Sequence, residues 1–88
     1  MADPAGSESA RDLSGSIARV VAEVSDHVSA EDVQSDREFV ADLKVDSLAM
    51  VEIVVLLEEE HGIRIADEDV RRFRRVSDLE EHLRRATA

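Results

Sequence analysis

The sequence contains no cysteine, tryptophan or tyrosine, and its 88 residues include only one proline and three glycines. Without cysteine, neither a disulfide nor a thiolate metal site can hold the chain together, and a reducing cytoplasm is the compartment that we expect. The basic and apolar segments of a signal peptide are missing, as is an apolar run long enough to span a membrane. We therefore predict a cytoplasmic protein without membrane insertion.

Positive charge is also scarce. The chain has 21 acidic and 11 basic residues, a formal net charge of −10 at pH 7. The imbalance is uneven, because residues 1–70 hold 18 acids and 5 bases (−13), whereas residues 71–88 hold 3 acids and 6 bases (+3). Such a charge repels nucleic acid and anionic lipid and favours basic protein partners. We therefore expect no nucleic-acid ligand.

A chain of this length forms one small domain, which buries only a little over ~60% of its unfolded surface and has little core to spare for an elaborate active site. The first ten residues are small, polar and acidic. We predict a flexible tail over residues 1–10, followed by a folded domain over residues 11–86. We expect this domain to be a monomer.

The apolar pattern predicts helices and no strand. A first helix is predicted by apolar residues at three- and four-residue spacing, which places them on one helical face. These residues are Leu13, Ile17, Val20, Val21, Val24 and Val28. Between His27 and Lys44 the pattern breaks into polar turn residues. This length indicates a functional loop or a short helix within it, and we expect Val33, Phe39 and Leu43 to plug the core.

Three further helices follow this loop. The second should run from about Ser47 to about His61, with Gly62 as a left-handed C-terminal cap. Acids at residues 67–69 favour the start of a short third helix, because they complement the positive end of the helix dipole. Ser77 and Glu80 have the spacing of a capping box, and Leu79 and Leu83 give the fourth helix an apolar side. The sequence therefore predicts an all-α, four-helix domain.

The most informative motif is Asp46-Ser47-Leu48, which places a small hydroxyl at the entrance of a strongly apolar helix. Asp and Ser are both favoured at helix N-caps, so capping alone could explain the pair. A catalytic serine needs a base and usually a third group that orients the base. No histidine is near Ser47 in the sequence, and His61 lies at the far end of the same helix. We therefore predict no catalytic residue, and expect Ser47 to be modified by another protein.

The stretch from Phe39 to Ile53, followed by acids at 58–60 and by residues 63–69, resembles the acyl carrier proteins. The resemblance spans roughly Leu13 to Leu83, and the block around Ser47 is similar to discrete carriers of dissociated, type II fatty acid synthases in actinobacteria. It implies a four-helix bundle of the acyl-carrier type, with a long first loop and a short third helix. It also implies that Ser47, between Asp46 and Leu48, carries 4′-phosphopantetheine as a phosphodiester, and that the thiol of this arm holds acyl groups as thioesters.

The sequence departs from the family at three places. Ala66 replaces a proline that is common at the first position of the third helix. The basic stretch Arg71–Arg75 replaces a more neutral or acidic one, which puts the usual partner contacts of that helix in doubt. Lys44 stands where many carriers have glycine or an acid.

Two surfaces follow from the pattern of the second helix together with the resemblance. Leu48, Val51 and Val55 form an apolar stripe that is either core or a docking surface rimmed by acids. The predicted docking residues are Leu48, Val51, Glu52, Val55, Glu58 and Glu59. The predicted acyl pocket is an interior that parts to admit an acyl chain, lined by apolar residues from the segments that pack around the second helix. These residues are Phe39, Ile53, Leu57, Ile65, Val70, Phe73 and Leu79.

Other chemistry finds little support in the sequence. His27, His61 and His82 lack the paired spacing of a zinc site, and the acidic runs lack the alternating ligands of a calcium loop, so we predict no metal. The resemblance implies a phosphopantetheinyl transferase, a ketosynthase, an acyltransferase and a ketoreductase as partners. Two alternatives to fatty acid synthesis remain open: a carrier for a polyketide or other specialised pathway, and a small acidic interaction module without an arm.

Overall fold

The computed structural model describes the backbone of residues 5–87 and the side chains of residues 13–87. Its helices are α1 (Ala5–Val24), α2 (Ser47–His61), α3 (Asp67–Val70) and α4 (Val76–Thr87), with a 3₁₀ turn at Ala30–Asp32 in the first loop. These residues contain no strand, although one isolated antiparallel bridge joins Glu38 to Arg75. The predicted all-α, four-helix fold, with its long first loop and short third helix, is confirmed.

The ends of α1 differ from the sequence prediction. The helix begins at Ala5, inside the segment that we predicted as a tail, while residues 1–4 lie outside the described residues. The flexible tail and the domain boundary at residue 11 therefore stay predictions. At the other end α1 stops at Val24, so Val28 belongs to the first loop, although its side chain is buried as the helical spacing suggested.

The ends of α2 are fixed by the residues that flank it. The Asp46 carboxylate accepts a hydrogen bond from the Ala49 N–H at 2.8 Å, which satisfies one of the unpaired donors of the first turn. Gly62 ends the helix in the left-handed conformation, with φ at 66°, where a side chain would be strained. Both predicted boundaries of α2 are confirmed.

The core is built almost entirely from aliphatic side chains, with Phe39 as its one fully buried aromatic residue among those described. Phe39 and Leu43 reach it from the first loop, so the predicted plugging role of that loop is confirmed, while Val33 is half-buried. All four helices or their flanking loops contribute to this cluster. Its members are Leu13, Ile17, Val20, Val21, Val28, Phe39, Leu43, Val45, Met50, Ile53, Val54, Leu57, Ile65, Val76, Leu79 and Leu83.

Polar anchors hold the first loop against α1 and α4. The Glu80 carboxylate, only 9% exposed, accepts hydrogen bonds from the Ser35 hydroxyl at 2.8 Å and the Ser14 hydroxyl at 3.1 Å. The Ser77 N–H donates to the Ser35 carbonyl at 2.9 Å. Because a buried carboxylate is costly unless it is hydrogen-bonded, this contact ties three segments together.

The predicted capping box between Ser77 and Glu80 is wrong. Helix α4 begins at Val76, and the Asp78 carboxylate accepts the N–H groups of Arg74 and Arg75, both at 2.9 Å. The capping acid is therefore two residues earlier than the spacing suggested. Glu80 is turned inward instead.

A second anchor joins α1 to the end of α2. The Glu60 carboxylate accepts the Ser16 hydroxyl at 2.6 Å and pairs with the Arg19 guanidinium. The Ser16 hydrogen bond and then the Arg19 contacts hold the pKa of Glu60 below its ordinary value. The His61 Nε2 atom lies 3.0 Å from the same Ser16 hydroxyl, so this histidine has a structural partner.

We expect Glu80→Ala to lower the free energy of unfolding by about 1–3 kcal/mol, because it leaves two serine hydroxyls without their acceptor and opens space in a buried region. Urea unfolding measures this change. Glu81→Ala is the control, since Glu81 is exposed and, among residues 13–87, forms only a surface ion pair with Arg85. Equal stability losses in the two variants would contradict the anchoring role of Glu80.

Candidate functional site

Ser47 is the first residue of α2, and its side chain is exposed. Asp46 caps the helix, and the Ser47 hydroxyl makes no hydrogen bond to any residue between 13 and 87. The structure thus assigns the capping role to Asp46 and leaves the serine hydroxyl accessible. Because His61 is 14 helical positions after Ser47, roughly 21 Å at 1.5 Å per residue, this histidine is out of reach as a base.

A cavity of about 570 Å³ opens beside Ser47, between the first loop, α2 and α3. Apolar side chains from all three segments form most of its wall, and four charged residues contribute to it. The lining residues are Phe39, Val40, Val45, Asp46, Ser47, Met50, Val51, Val54, Val55, Glu58, Ile65, Asp67, Val70, Arg71 and Phe73.

The structure divides the predicted pocket residues into two groups. Phe39, Ile65, Val70 and Phe73 line the cavity, whereas the other three are fully buried in the closed core and do not reach it. Those three are Ile53, Leu57 and Leu79.

Several residues of the cavity wall on α2 were not predicted from the sequence. Met50, Val51 and Val54 line it because they stand three, four and seven positions after Ser47, on the same side of the helix. That spacing was a signal available in the sequence. Val40 and Val45 also line the cavity, but they come from the irregular loop, where no periodicity indicates which way a side chain faces.

The apolar stripe of α2 is exposed. Leu48 is 73% exposed, Val51 54% and Val55 43%. The opposite side of the helix, with Ile53 and Leu57, is fully buried. The stripe therefore does not belong to the core, and its docking role stays a prediction.

The predicted docking acids are not equivalent. Glu52 and Glu59 are exposed and share the face of Leu48 and Val55, at the spacing of successive helical turns. Glu58 is half-buried, and its carboxylate accepts the Ile65 N–H at 2.7 Å. Glu58 therefore holds the segment between α2 and α3 in place, and this role is independent of the proposed contact with a partner.

The residues that depart from the family pattern have identifiable surroundings. Lys44 has φ at 55°, in the left-handed region that favours glycine, and its Nζ atom donates to the Ala41 carbonyl at 3.0 Å. Arg74 and Arg75 both pair with Glu38. Arg71 lines the cavity, as described above.

The histidines have structural neighbours. His27 donates from Nε2 to the Leu43 carbonyl at 2.9 Å, and His82 packs edge-on against Phe73 with 5.3 Å between the ring centroids. Within the part of the chain that the structure describes, no three acidic or histidine side chains are grouped so that they could hold a metal ion. Among the same residues, no helix is both long and apolar enough to cross a membrane.

Comparison with known proteins defines the class to which this site belongs. The family model described as "Phosphopantetheine attachment site" matches residues 16–83. The chain is 41% identical over 71 residues to an acyl carrier protein of Acidothermus cellulolyticus, an alignment that covers 81% of this chain and 83% of the relative. It is 36% identical over 72 residues to an acyl carrier protein of Rhodococcus erythropolis, covering 82% and 78%.

A relative with a more specific name is the meromycolate extension acyl carrier protein of Mycolicibacterium aurum, which is 37% identical over 71 residues, covering 81% of this chain and 72% of the relative. The chain belongs to the acyl carrier protein family. Members of this family are carriers rather than enzymes, and they hold 4′-phosphopantetheine covalently.

Proposed function

We propose that Ser47 is the attachment residue and that the protein presents acyl intermediates, as thioesters on the arm, to the enzymes of fatty acid synthesis. The observation that carries this proposal is the exposed Ser47 hydroxyl, which has no hydrogen-bond partner among residues 13–87 and lies at the edge of the cavity. A phosphopantetheinyl transferase would join this oxygen to the phosphate of the arm, with coenzyme A as the donor. The pyrophosphate bond of coenzyme A breaks in this step, adenosine 3′,5′-bisphosphate leaves, and the serine proton is released. A ketosynthase, an acyltransferase and a ketoreductase are the partners proposed for the loaded carrier.

The residues present fit this prosthetic group. A primary hydroxyl that neither caps the helix nor contacts a base is accessible to a transferase, and the Asp46 cap keeps the helix start intact once the serine is modified. When bound, the arm supplies a thiol that forms thioesters. The protein itself supplies the attachment oxygen, a docking surface and an apolar cavity that excludes water from the cargo.

The cavity favours alkyl cargo over polar cargo. Most of its wall is formed by valine, methionine, isoleucine and phenylalanine side chains, and burying methylene groups against such a wall is favourable. This supports a role in fatty acid synthesis over the alternative of a polyketide or other specialised pathway. The Mycolicibacterium aurum relative is named for meromycolate extension, and we propose extension of an acyl chain as the corresponding step for this carrier.

The exposed face of α2 is the proposed docking surface. Leu48 and Val55 provide apolar contact, while Glu52 and Glu59 provide charge on the same side of the helix. Charge on a surface of this kind speeds encounter with a basic partner without requiring a large dry interface. Such a surface supports a monomeric carrier that binds and leaves successive enzymes rapidly in the cytoplasm.

We expect Ser47→Ala to abolish arm attachment and to leave the free energy of unfolding within about 1 kcal/mol of the wild type, because Asp46 still caps α2. Intact mass after treatment with coenzyme A and a transferase measures the first effect. Ser77→Ala is a matched control, since Ser77 lies in the first turn of α4 and is also followed by leucine within two residues. A wild-type protein that gains no arm would support an interaction module without one, and an arm on another serine would refute the assignment.

We expect the double variant Glu52→Lys with Glu59→Lys to be loaded by a basic phosphopantetheinyl transferase several-fold more slowly at low salt, with the difference shrinking at high salt, because exposed charges act through steering. The measurement is kcat/KM against ionic strength. Glu23→Lys with Glu31→Lys is the control, because it changes the net charge equally at exposed positions on α1 and the first loop. Equal losses in both double variants would show that net charge, rather than this face, controls loading.

We expect longer cargo to stabilise the protein. A buried methylene contributes ~0.8 kcal/mol before the cost of opening the fold, and in a domain of this size each net kcal/mol raises the Tm by about 4–8 °C. The arm should be loaded with acetyl, hexanoyl and octanoyl groups, and the Tm and the thioester hydrolysis rate should be compared. The same acyl groups on free pantetheine provide the control for intrinsic hydrolysis. Equal Tm values and equal hydrolysis rates for the three acyl groups would mean that the acyl chain stays outside the cavity, as expected for polar polyketide cargo.

A further inference from the structure

The cavity beside Ser47 has one cation in its wall. Arg71 is the only basic residue among those that line it, whereas Asp46, Glu58 and Asp67 contribute acids. A purely apolar shelter for an alkyl chain has no need of a guanidinium group. The position of Arg71 therefore requires an explanation beyond the shelter of alkyl cargo.

Two of the acids already serve the backbone. Asp46 accepts the Ala49 N–H, and Glu58 accepts the Ile65 N–H at 2.7 Å. Asp67 opens the first turn of α3. None of the three forms an ion pair with Arg71 in the described part of the chain.

The Arg71 guanidinium differs from its basic neighbours. Arg74 and Arg75 both bind Glu38, while the Arg71 side chain makes no hydrogen bond or ion pair to any residue from 13 to 87. The Arg71 backbone N–H donates to the Asp67 carbonyl at 3.2 Å. This hydrogen bond holds the backbone of Arg71 at the C-terminal end of α3. The exposed Arg72 side chain also makes no such contact, but it lines a different surface concavity, away from Ser47.

A guanidinium group presents planar N–H donors that match the paired oxygens of a phosphate or a carboxylate. We propose that Arg71 binds an anionic oxygen group that the arm brings to this cavity. Such a group has two sources: the phosphodiester next to Ser47, and a carboxylate at the far end of a cargo chain. This inference rests on the proposed attachment at Ser47, and it adds a selectivity that an apolar cavity alone does not give.

The size of the effect is limited because Arg71 is exposed. An exposed ion pair changes a binding equilibrium by about two- to fivefold. Arg71 would therefore shift the equilibrium position of the arm, or the preference among cargoes, without fixing either one.

The test compares four forms of the isotope-labelled protein: without the arm, with the arm, and with the arm carrying hexanoyl or adipoyl groups. The adipoyl chain has the same six carbons as hexanoyl and ends in a carboxylate. The NMR signal of the Arg71 Nε–Hε group, assigned by its loss in Arg71→Gln, reports on anion binding. The rate of thioester hydrolysis, measured in the wild type, Arg71→Gln and the control Arg72→Gln, reports on how the cargo is held.

Displacement of the Arg71 signal when the arm is attached, with the Arg72 signal unmoved, identifies the phosphodiester as the anion. Displacement with adipoyl but not hexanoyl cargo, together with adipoyl hydrolysis about two- to fivefold faster in Arg71→Gln than in Arg72→Gln, identifies the cargo carboxylate. An Arg71 signal that is the same in all four forms, or that moves no more than that of Arg72, overturns the inference. A protein whose mass shows no arm overturns the proposed function itself, whereas a loaded protein with an unmoved Arg71 signal overturns this inference alone.

Discussion

Helix α2 has more apolar surface than the core of this small domain can bury, and the arrangement of the other segments depends on this constraint. Between Leu48 and Leu57 only Glu52 is polar, while a helix in a small domain can bury little more than one face. The side with Ile53 and Leu57 is fully enclosed, and the side with Leu48 stays exposed. Exposed apolar side chains contribute little to folding, and their position beside an accessible serine is the reason for proposing this face as a docking surface.

The cavity depends on segments that have little regular structure of their own. Helix α3 has four residues and cannot persist alone, so its place is set by side chains that pack beneath it and by the Glu58 carboxylate that accepts the Ile65 N–H. The first loop is held by Phe39 in the core and by the buried Glu80 carboxylate. A few polar anchors and one aromatic ring thus keep two irregular walls against α2, and an apolar space opens where all three meet beside Ser47.

The sequence was most informative where local chemistry decides the outcome. Asp46 and Gly62 mark the ends of α2, because a cap and a left-handed turn each require particular residue types. The sequence was less informative where segments that are far apart in the chain meet in the fold. The spacing of Ser77 and Glu80 suggested a local cap, but Glu80 bonds to serines on α1 and the first loop. Periodicity also predicts which side of α2 faces inward, but it does not predict how deep a side chain lies. Ile53 lies in the closed core and not at the wall of the cavity, so its place in the acyl pocket stays a prediction.

We propose that Ser47 delivers an acyl chain into the space between the first loop, α2 and α3. Isotope-filtered NOE spectroscopy tests this directly, with a ¹³C-labelled protein carrying an unlabelled octanoyl group. We expect NOEs from the octanoyl chain to residues of the cavity wall, such as Val54, Val70 and Phe73, and none to the exposed Leu48. NOEs to Leu48 without contacts to Val70 or Phe73, or a chain with no NOEs to the protein, would contradict it.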